Sequence, residues 1–244
     1  VMFTARQTAE LIKYAANAFL ATKITFINEI ANLCEQVGAN VQDVARGIGL
    51  DGRIGSKYLH AGPGYGGSCF PKDTVALLRT AEGLDLPMKI VKATVEVNDQ
   101  RKRDMAQKII DACGGSLVGR TVAVLGLTFK PNTDDMRDSP SLDIIPALLA
   151  AGARVRAHDP EGMDEARGML DGVEFCDDAY DALVDADALA IITEWNAYRA
   201  LDIPRVKELM KAPVMVDMRN IYDPANMRKH GFSYFSIGRP AVQA

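Results

Sequence analysis

From Gly119 onward the sequence alternates short apolar runs with helical patterns, and no other feature narrows the possible folds so sharply. Val122 to Leu125 is a run of the kind buried on both faces of a sheet. Ser139-Pro140 caps a helix expected to reach Ala150 and close at Gly152, and Arg154 to His158 reads as a second strand ending in Asp159-Pro160. Further strands are expected at Val173 to Cys176, Ala188 to Thr193, Val214 to Asp217 and Tyr234 to Ile237, with helices near Ala179 to Val184 and Pro204 to Met210. Strands joined by helices run parallel, because each connection must cross a face of the sheet, so the class is α/β with a Rossmann-like, doubly wound parallel sheet. Ligands of such sheets bind past the carboxyl ends of the strands, near the switch point of the topology. The loop after the first strand, Gly126-Leu127-Thr128-Phe129-Lys130-Pro131, lacks the spaced glycines of a dinucleotide fingerprint. Phosphate would then be gripped by side chains, Lys130, Arg137 and Arg219, although each cation taken singly also reads as a surface charge.

The first half has a different period. Thr4 and Gln7 make a capping-box pattern, and from Ala5 to Val37 there is neither Gly nor Pro, with Gly38 as the stop. Apolar residues spread around most of this long helix, so it is expected to be packed on several sides. Lys13 and Asn17, four apart, share a face; they either direct an ammonium and an amide at one point or form a solvated stripe. A short helix from Asn40 to Arg46 precedes a Gly-rich connector, Gly47 to Gly67, that holds Arg53, Lys57 and Tyr58, and a loop of that length in a compact chain is usually functional. Pro87 opens a second long helix, Met88 to Ala112, apolar early and charged late, which suits a spacer. The expected division is a helical central domain at 1–86, a connecting helix at 87–113 and the sheet domain at 114–244.

Within the central domain, Gly62 to Thr74 crowds four glycines around one cysteine. Glycine is kept where the backbone takes unusual angles or a ligand lies against it. A helix expected from Pro71 to Ala81 begins beside Cys69, so the thiol meets the positive end of the helix dipole and the charge of Lys72, which favours thiolate. Asp73 is within one turn, placed to manage protons or water. A nucleophile is one reading; a structural cysteine in a tight turn is the other.

The 244 residues are 48% hydrophobic and 25% charged, which fits a globular chain, and the net charge of -4 argues against nucleic acid or an anionic membrane as partner. There is no apolar run long enough to cross a bilayer and no signal peptide. Cys34, Cys69, Cys113 and Cys176 are scattered without a CxxC pair, and His60, His158 and His230 do not cluster with them, so neither a metal site nor a disulfide framework is expected and a reducing, cytoplasmic setting fits. The sequence opens Val1-Met2-Phe3 and enters a helix almost at once, so it is expected to be part of a longer protein.

The cysteine loop, the segment Glu10 to Phe19, the segment Asp51-Gly52-Arg53-Ile54-Gly55, and Gly126 to Lys130 followed by Asp134 to Ser139 resemble the UDP-glucose/GDP-mannose dehydrogenase family over essentially the whole chain. Gly66 to Asp73 looks most like its UDP-glucose branch. Family members begin with an NAD-binding domain bearing GxGxxG and an acidic catalytic residue, and this sequence departs from that pattern at its start, where neither stands. The resemblance implies oxidation of UDP-glucose to UDP-glucuronate with two NAD reduced, the cysteine trapping the aldehyde as a thiohemiacetal. It implies Cys69 as nucleophile, Asp73 on protons and the hydrolytic water, and Lys13 and Asn17 on the oxyanion. To the sugar nucleotide it assigns Tyr58, Leu59, His60, Ala61, Gly62 and Gly66, with Phe129, Lys130 and Arg219 toward the UDP half. Arg53 is implied to reach a neighbouring subunit's site, Lys72 and Arg137 to touch NAD, and the long helices to hold a homodimer. Three other readings stay open: action on another nucleotide sugar such as GDP-mannose, a non-catalytic nucleotide-sugar-binding and dimerisation module, and a cysteine hydrolase pairing Cys69 with His60 or His158.

Overall fold

In the structure, a computed structural model that describes residues 2–243, the uninterrupted first run is one helix, α1 (Arg6–Val37), ended by Gly38 at φ 76°. Its N-cap is Ala5 rather than Thr4, and no side chain caps it: the extended backbone at Ala5 places the Thr4 hydroxyl one residue too early for the capping box. Nor is α1 packed on several sides. It buries Asn17, Ala18, Ala21, Thr25, Ile27 and Ala31, while Leu11, Ile12, Phe19, Phe26 and Leu33 remain 45% to 65% exposed. α2 (Val41–Gly49) is capped by the Asn40 side chain, which accepts from the Gln42 N–H. The connector then leads to α3 (Phe70–Glu82), with Pro71 in its first turn where the missing N–H costs nothing, and to α4 (Lys89–Ala112). A small core of Ala18, Leu77 and Val91 joins α1, α3 and α4.

The rest of the chain runs β1 (Thr121–Leu125), α5 (Ser141–Ala150), β2 (Arg154–His158), α6 (Met163–Arg167), β3 (Val173–Phe175), α7 (Ala179–Leu183), β4 (Ala188–Ile191), α8 (Asn196–Arg199), α9 (Ile203–Leu209), β5 (Val214–Asp217), α10 (Pro224–Lys229) and β6 (Ser233–Ser236). The expected doubly wound sheet is there: six parallel strands in the order β3-β2-β1-β4-β5-β6. α6, α8 and α10, absent from the sequence reading, are too short for a helical period to show. Side chains alternate between two cores, as the pleat requires. Val122, Val124, Val155 and Ala190 face α5 together with the later turns of α1 and α4; Ala123, Leu125, Leu189 and Ile191 face α7, α9 and α10. The first of these cores is continuous from Ile27 in α1 through Ile109 in α4 to the strands.

Two details fix the ends of the assembly. After β1, Gly126 at φ 94° is the only kind of residue that fits, since a Cβ there would fall 2.5 Å from the Thr193 backbone nitrogen. After β6, Gly238 donates its N–H to Glu35 Oε1 at 2.7 Å and accepts the Val41 N–H at 2.8 Å, tying the last strand to α1 and α2.

Candidate functional site

The order of the sheet reverses between β1 and β4, and the loops that leave these strands and β5 carry Phe129 and Lys130, Glu194, and Arg219 respectively. The Gly-rich connector folds across the same end, and a cavity of about 500 Å³ lies between them. It is lined from the connector by Lys57, Tyr58, His60, Gly62 and Gly66, and from the strand loops by Phe129, Lys130, Glu194 and Arg219. Arg219 is fixed there by donating from Nε to the Ile192 carbonyl at 2.7 Å and from Nη2 to the Phe129 carbonyl at 3.2 Å, with Glu194 Oε2 3.0 Å from Nε. Nη1 lies 3.2 Å from where a Gly62 Cβ would stand, so glycine leaves the guanidinium room.

Of the segment Tyr58 to Gly62, Tyr58 takes φ 64°, left-handed backbone that is strained for a non-glycine residue, with its ring edge-on to Phe70. Leu59 is buried, and His60 and Ala61 with Arg219 wall a neighbouring cavity of about 430 Å³. Gly62 donates its N–H to Asn28 Oδ1 at 2.8 Å. Gly66 is packed so tightly that a Cβ would lie 2.2 Å from the Asp138 carbonyl oxygen, and one on Gly67 2.6 Å from the Phe129 ring.

Cys69 is the only exposed cysteine among the described residues and stands at the N-cap of α3. It lines a cavity of about 390 Å³ that shares Tyr58, Gly66, Phe70, Phe129 and Lys130 with the larger one, so thiol and cations face one continuous cleft. Asp73 is buried one turn on. Its Oδ2 accepts from Asn17 Nδ2 at 2.5 Å, its Oδ1 from Lys72 Nζ at 2.5 Å, and Lys13 Nζ donates to Asn17 Oδ1 at 3.3 Å. Burial pushes this carboxyl up, but the hydrogen bonds from Lys72 and Asn17 and the charges of Lys72 and Lys13 outweigh it and hold the carboxyl below its ordinary value. Asn17 is therefore no solvated position: it is buried, and it links the exposed Lys13 to Asp73 by hydrogen bonds. None of Lys13, Asn17 and Asp73 is on the wall of the Cys69 cavity, and the charge of Lys72 is committed to Asp73.

The phosphate grip read from the sequence is corrected in one member. Lys130 and Arg219 share the large cavity, but Arg137 does not line it: its guanidinium doubly bonds its own Asp135, and its carbonyl takes the Gly67 N–H at 2.7 Å. Arg53, with a side chain 90% exposed, likewise pairs with Asp51 two residues away. No histidine lines the Cys69 cavity among the described residues; His158 shares a hydrogen bond with the Tyr198 hydroxyl at 3.0 Å, and its burial lowers its pKa. Asn28, Glu194 and Asp217 belong to the site without having been expected there. Asp217 holds the Arg219 loop by accepting the N–H groups of Arg219 and Tyr222. The one signal for Asn28 was an amide inside an apolar helical run.

No helix among the described residues is long and apolar enough to cross a membrane. The model of the UDP-glucose/GDP-mannose dehydrogenase family central domain matches residues 7–100, and that of the family's UDP binding domain matches residues 123–224. A UDP-glucose 6-dehydrogenase of Rhizobium meliloti (strain 1021) is 65% identical over 98% of this chain and 55% of its own length, and one of Bacillus subtilis (strain 168) is 51% identical over 100% of this chain and 53% of its own. The structure of a UDP-glucose dehydrogenase from the archaeon Pyrobaculum islandicum superposes with a TM-score of 0.84 at 41% identity, over 95% of this chain and 51% of that one. This chain thus spans little more than half the length of these relatives. With the two domain models matched in order along one polypeptide, and the strand-end cleft lying between the residues they cover, the chain belongs to the UDP-glucose/GDP-mannose dehydrogenase family, of which it carries the central and UDP-binding domains.

Proposed function

We propose that the protein of which this chain carries these two domains oxidises UDP-glucose to UDP-glucuronate in two NAD-dependent steps, and that this chain supplies the nucleophile and the sugar-nucleotide site. The observation that carries the reading is the continuity of the cleft: an exposed thiol at a helix N-terminus lines one part, Arg219 lines the other, and Lys130 lines both. A nucleotide sugar has that polarity, with a diphosphate for the cations and a primary alcohol for the thiol end. The Rhizobium and Bacillus relatives carry the name of this activity.

Lys72 and Arg137 would give NAD a peripheral contact: both are cationic and 69% and 65% exposed, and each would share its charge with the carboxylate it already pairs with, Asp73 or Asp135. NAD when bound supplies the two-electron acceptor. The chain's own residues do the rest. Cys69 Sγ adds to the aldehyde carbon of the half-oxidised sugar while the carbonyl oxygen takes a proton, and after the second oxidation the bound group is a thioester. Asp73, ionised because its value is held low, takes the proton of the water that attacks this thioester, and Sγ leaves as thiolate. The Lys13 ammonium, linked through Asn17 to Asp73 behind the cavity wall, adds the positive potential that favours each oxyanion at Cys69. The apolar face of α1 seats a second copy, and Arg53, exposed and on neither wall of its own cleft, reaches that copy's.

Calorimetry of UDP and UDP-glucose with this chain, and NADH formation on adding NAD, test the reading. UDP is expected to bind, and Arg219→Ala to weaken it about tenfold or more while leaving Cys69 alkylation unchanged. Equal UDP affinity in Arg219→Ala overturns the phosphate grip; no binding by the unaltered chain overturns the site. Turnover by the chain alone would show that it holds NAD by itself.

A further inference from the structure

One turn of α4 is polar where a helix between two cores is expected to be apolar. Asn98, Arg101 and Lys102 share a face, and their side chains are buried, with exposures of 3%, 4% and 5%. None of them lines either part of the cleft. Asn98 uses both ends of its amide on one residue, accepting the Tyr65 N–H at 2.8 Å and donating to the Tyr65 carbonyl at 3.2 Å. Arg101 donates from Nε to the Gly62 carbonyl at 3.0 Å and from Nη1 to Asn28 and Asn32, while Asn28 Oδ1 accepts the Gly62 N–H, so Gly62 too is held at both main-chain groups. Burial pushes the Arg101 guanidinium down to about 10, which still leaves it charged at neutral pH. Lys102 reaches the other way, donating to the Asp138 carbonyl at 3.0 Å. That carbonyl is the one against which Gly66 is packed, and its neighbour on Arg137 takes the Gly67 N–H. Gly64, at φ 117°, lets the helix come this close, since a Cβ would lie 3.1 Å from Asn98 Oδ1 and from Lys102 Cγ.

We propose that Asn98, Arg101 and Lys102 are positioning residues that set the Cys69 loop in register with the nucleotide loop, so that thiol and diphosphate grip face the same ligand. Helix packing alone has no need of them: buried cations without a close carboxylate are costly, and the nearest, Asp143, is 3.8 Å from Lys102. The unit rests on the nucleotide-sugar reading for its ligand, but its geometry is testable without one.

The test uses the folded chain with Asn98→Ala and Lys102→Met, the second keeping side-chain volume and serving alone should the first not fold. Amide hydrogen exchange is followed across the chain, together with alkylation of Cys69 by iodoacetamide, which the three buried cysteines do not compete for. Exchange of residues 62–67 is expected to quicken about tenfold, the factor one lost buried hydrogen bond is worth, with β1 and β4 unaffected and the alkylation rate changed. Unchanged exchange in 62–67, or faster exchange everywhere alike, overturns the proposal. UDP affinity should fall in both variants. Should the unaltered chain bind no UDP, the ligand reading fails, while exchange and alkylation still decide the positioning role.

Discussion

Replacing Asp73 by Ala would leave the Asn17 amide, 5% exposed, without its acceptor, and an unsatisfied buried donor costs about 1–3 kcal/mol. The pH dependence follows from the direction of the shift. A carboxyl held below its ordinary value in the folded state stabilises the fold above the unfolded value, near pH 4, and loses that contribution as the pH falls through the folded value. The melting temperature of the unaltered chain should therefore drop more steeply below about pH 4 than that of Asp73→Asn. Gly66→Ala is predicted to be costlier than its one methyl suggests, about 1–3 kcal/mol, because the clash is with a backbone carbonyl that no rotamer change can move; Gly52→Ala, where nothing lies within 4 Å, serves as the comparison in the same denaturant titration. The roles of Lys13, Asn17 and Asp73 are implied by their family segments, but their relay was not legible in spacing, since Asn17 and Asp73 are 56 residues apart and meet only because α1 and α3 pack together.

The elements with a strong period were legible from sequence: α1, β2 and β5 fall within a residue or so of where apolar spacing and the flanking Gly and Pro put them. What periodicity could not show is which side of a helix stays open. On α1 the exposed Leu11, Phe19, Phe26 and Leu33 recur every seven or eight residues and so form one stripe, the spacing by which two helices pack side by side. If that stripe seats a second copy, Phe19→Glu should turn a dimer into a monomer in sedimentation without lowering the helical signal; a chain that is monomeric from the start would remove the interface from the reading. The Gly-rich connector was legible as functional from its length and composition, but not its path, because it is held by single side chains of α1 and α4 rather than by any repeating pattern.

At the scale of the whole chain, the expected boundary near 114 marks a change of period, and it is not a break in the interior. The larger core passes from Ile27 through Ile109 to Val124 without interruption. Heat or urea is therefore expected to unfold both parts together, with the fluorescence of Trp195, the sole tryptophan, and the far-UV helical signal following one curve; two separated transitions would show that the shared core does not couple them. The fold class was readable because alternating strands and helices admit few topologies, whereas the shared core was not, since it depends on the angle at which the long helices meet the sheet.

The tie between Gly238 and Glu35 spans 203 residues, and Gly238 also accepts the Val41 N–H. During synthesis, α1 leaves the ribosome long before the segment that completes its packing exists, and its inward face at Ile27 and Ala31 meets water in the interval. Closing so long a loop is slow, and its reward comes last. A helix made early in this stretch of chain is thus among the last of its elements to be locked, and in that window a nascent chain is open to pairing with a neighbour on the same message before either has finished its sheet.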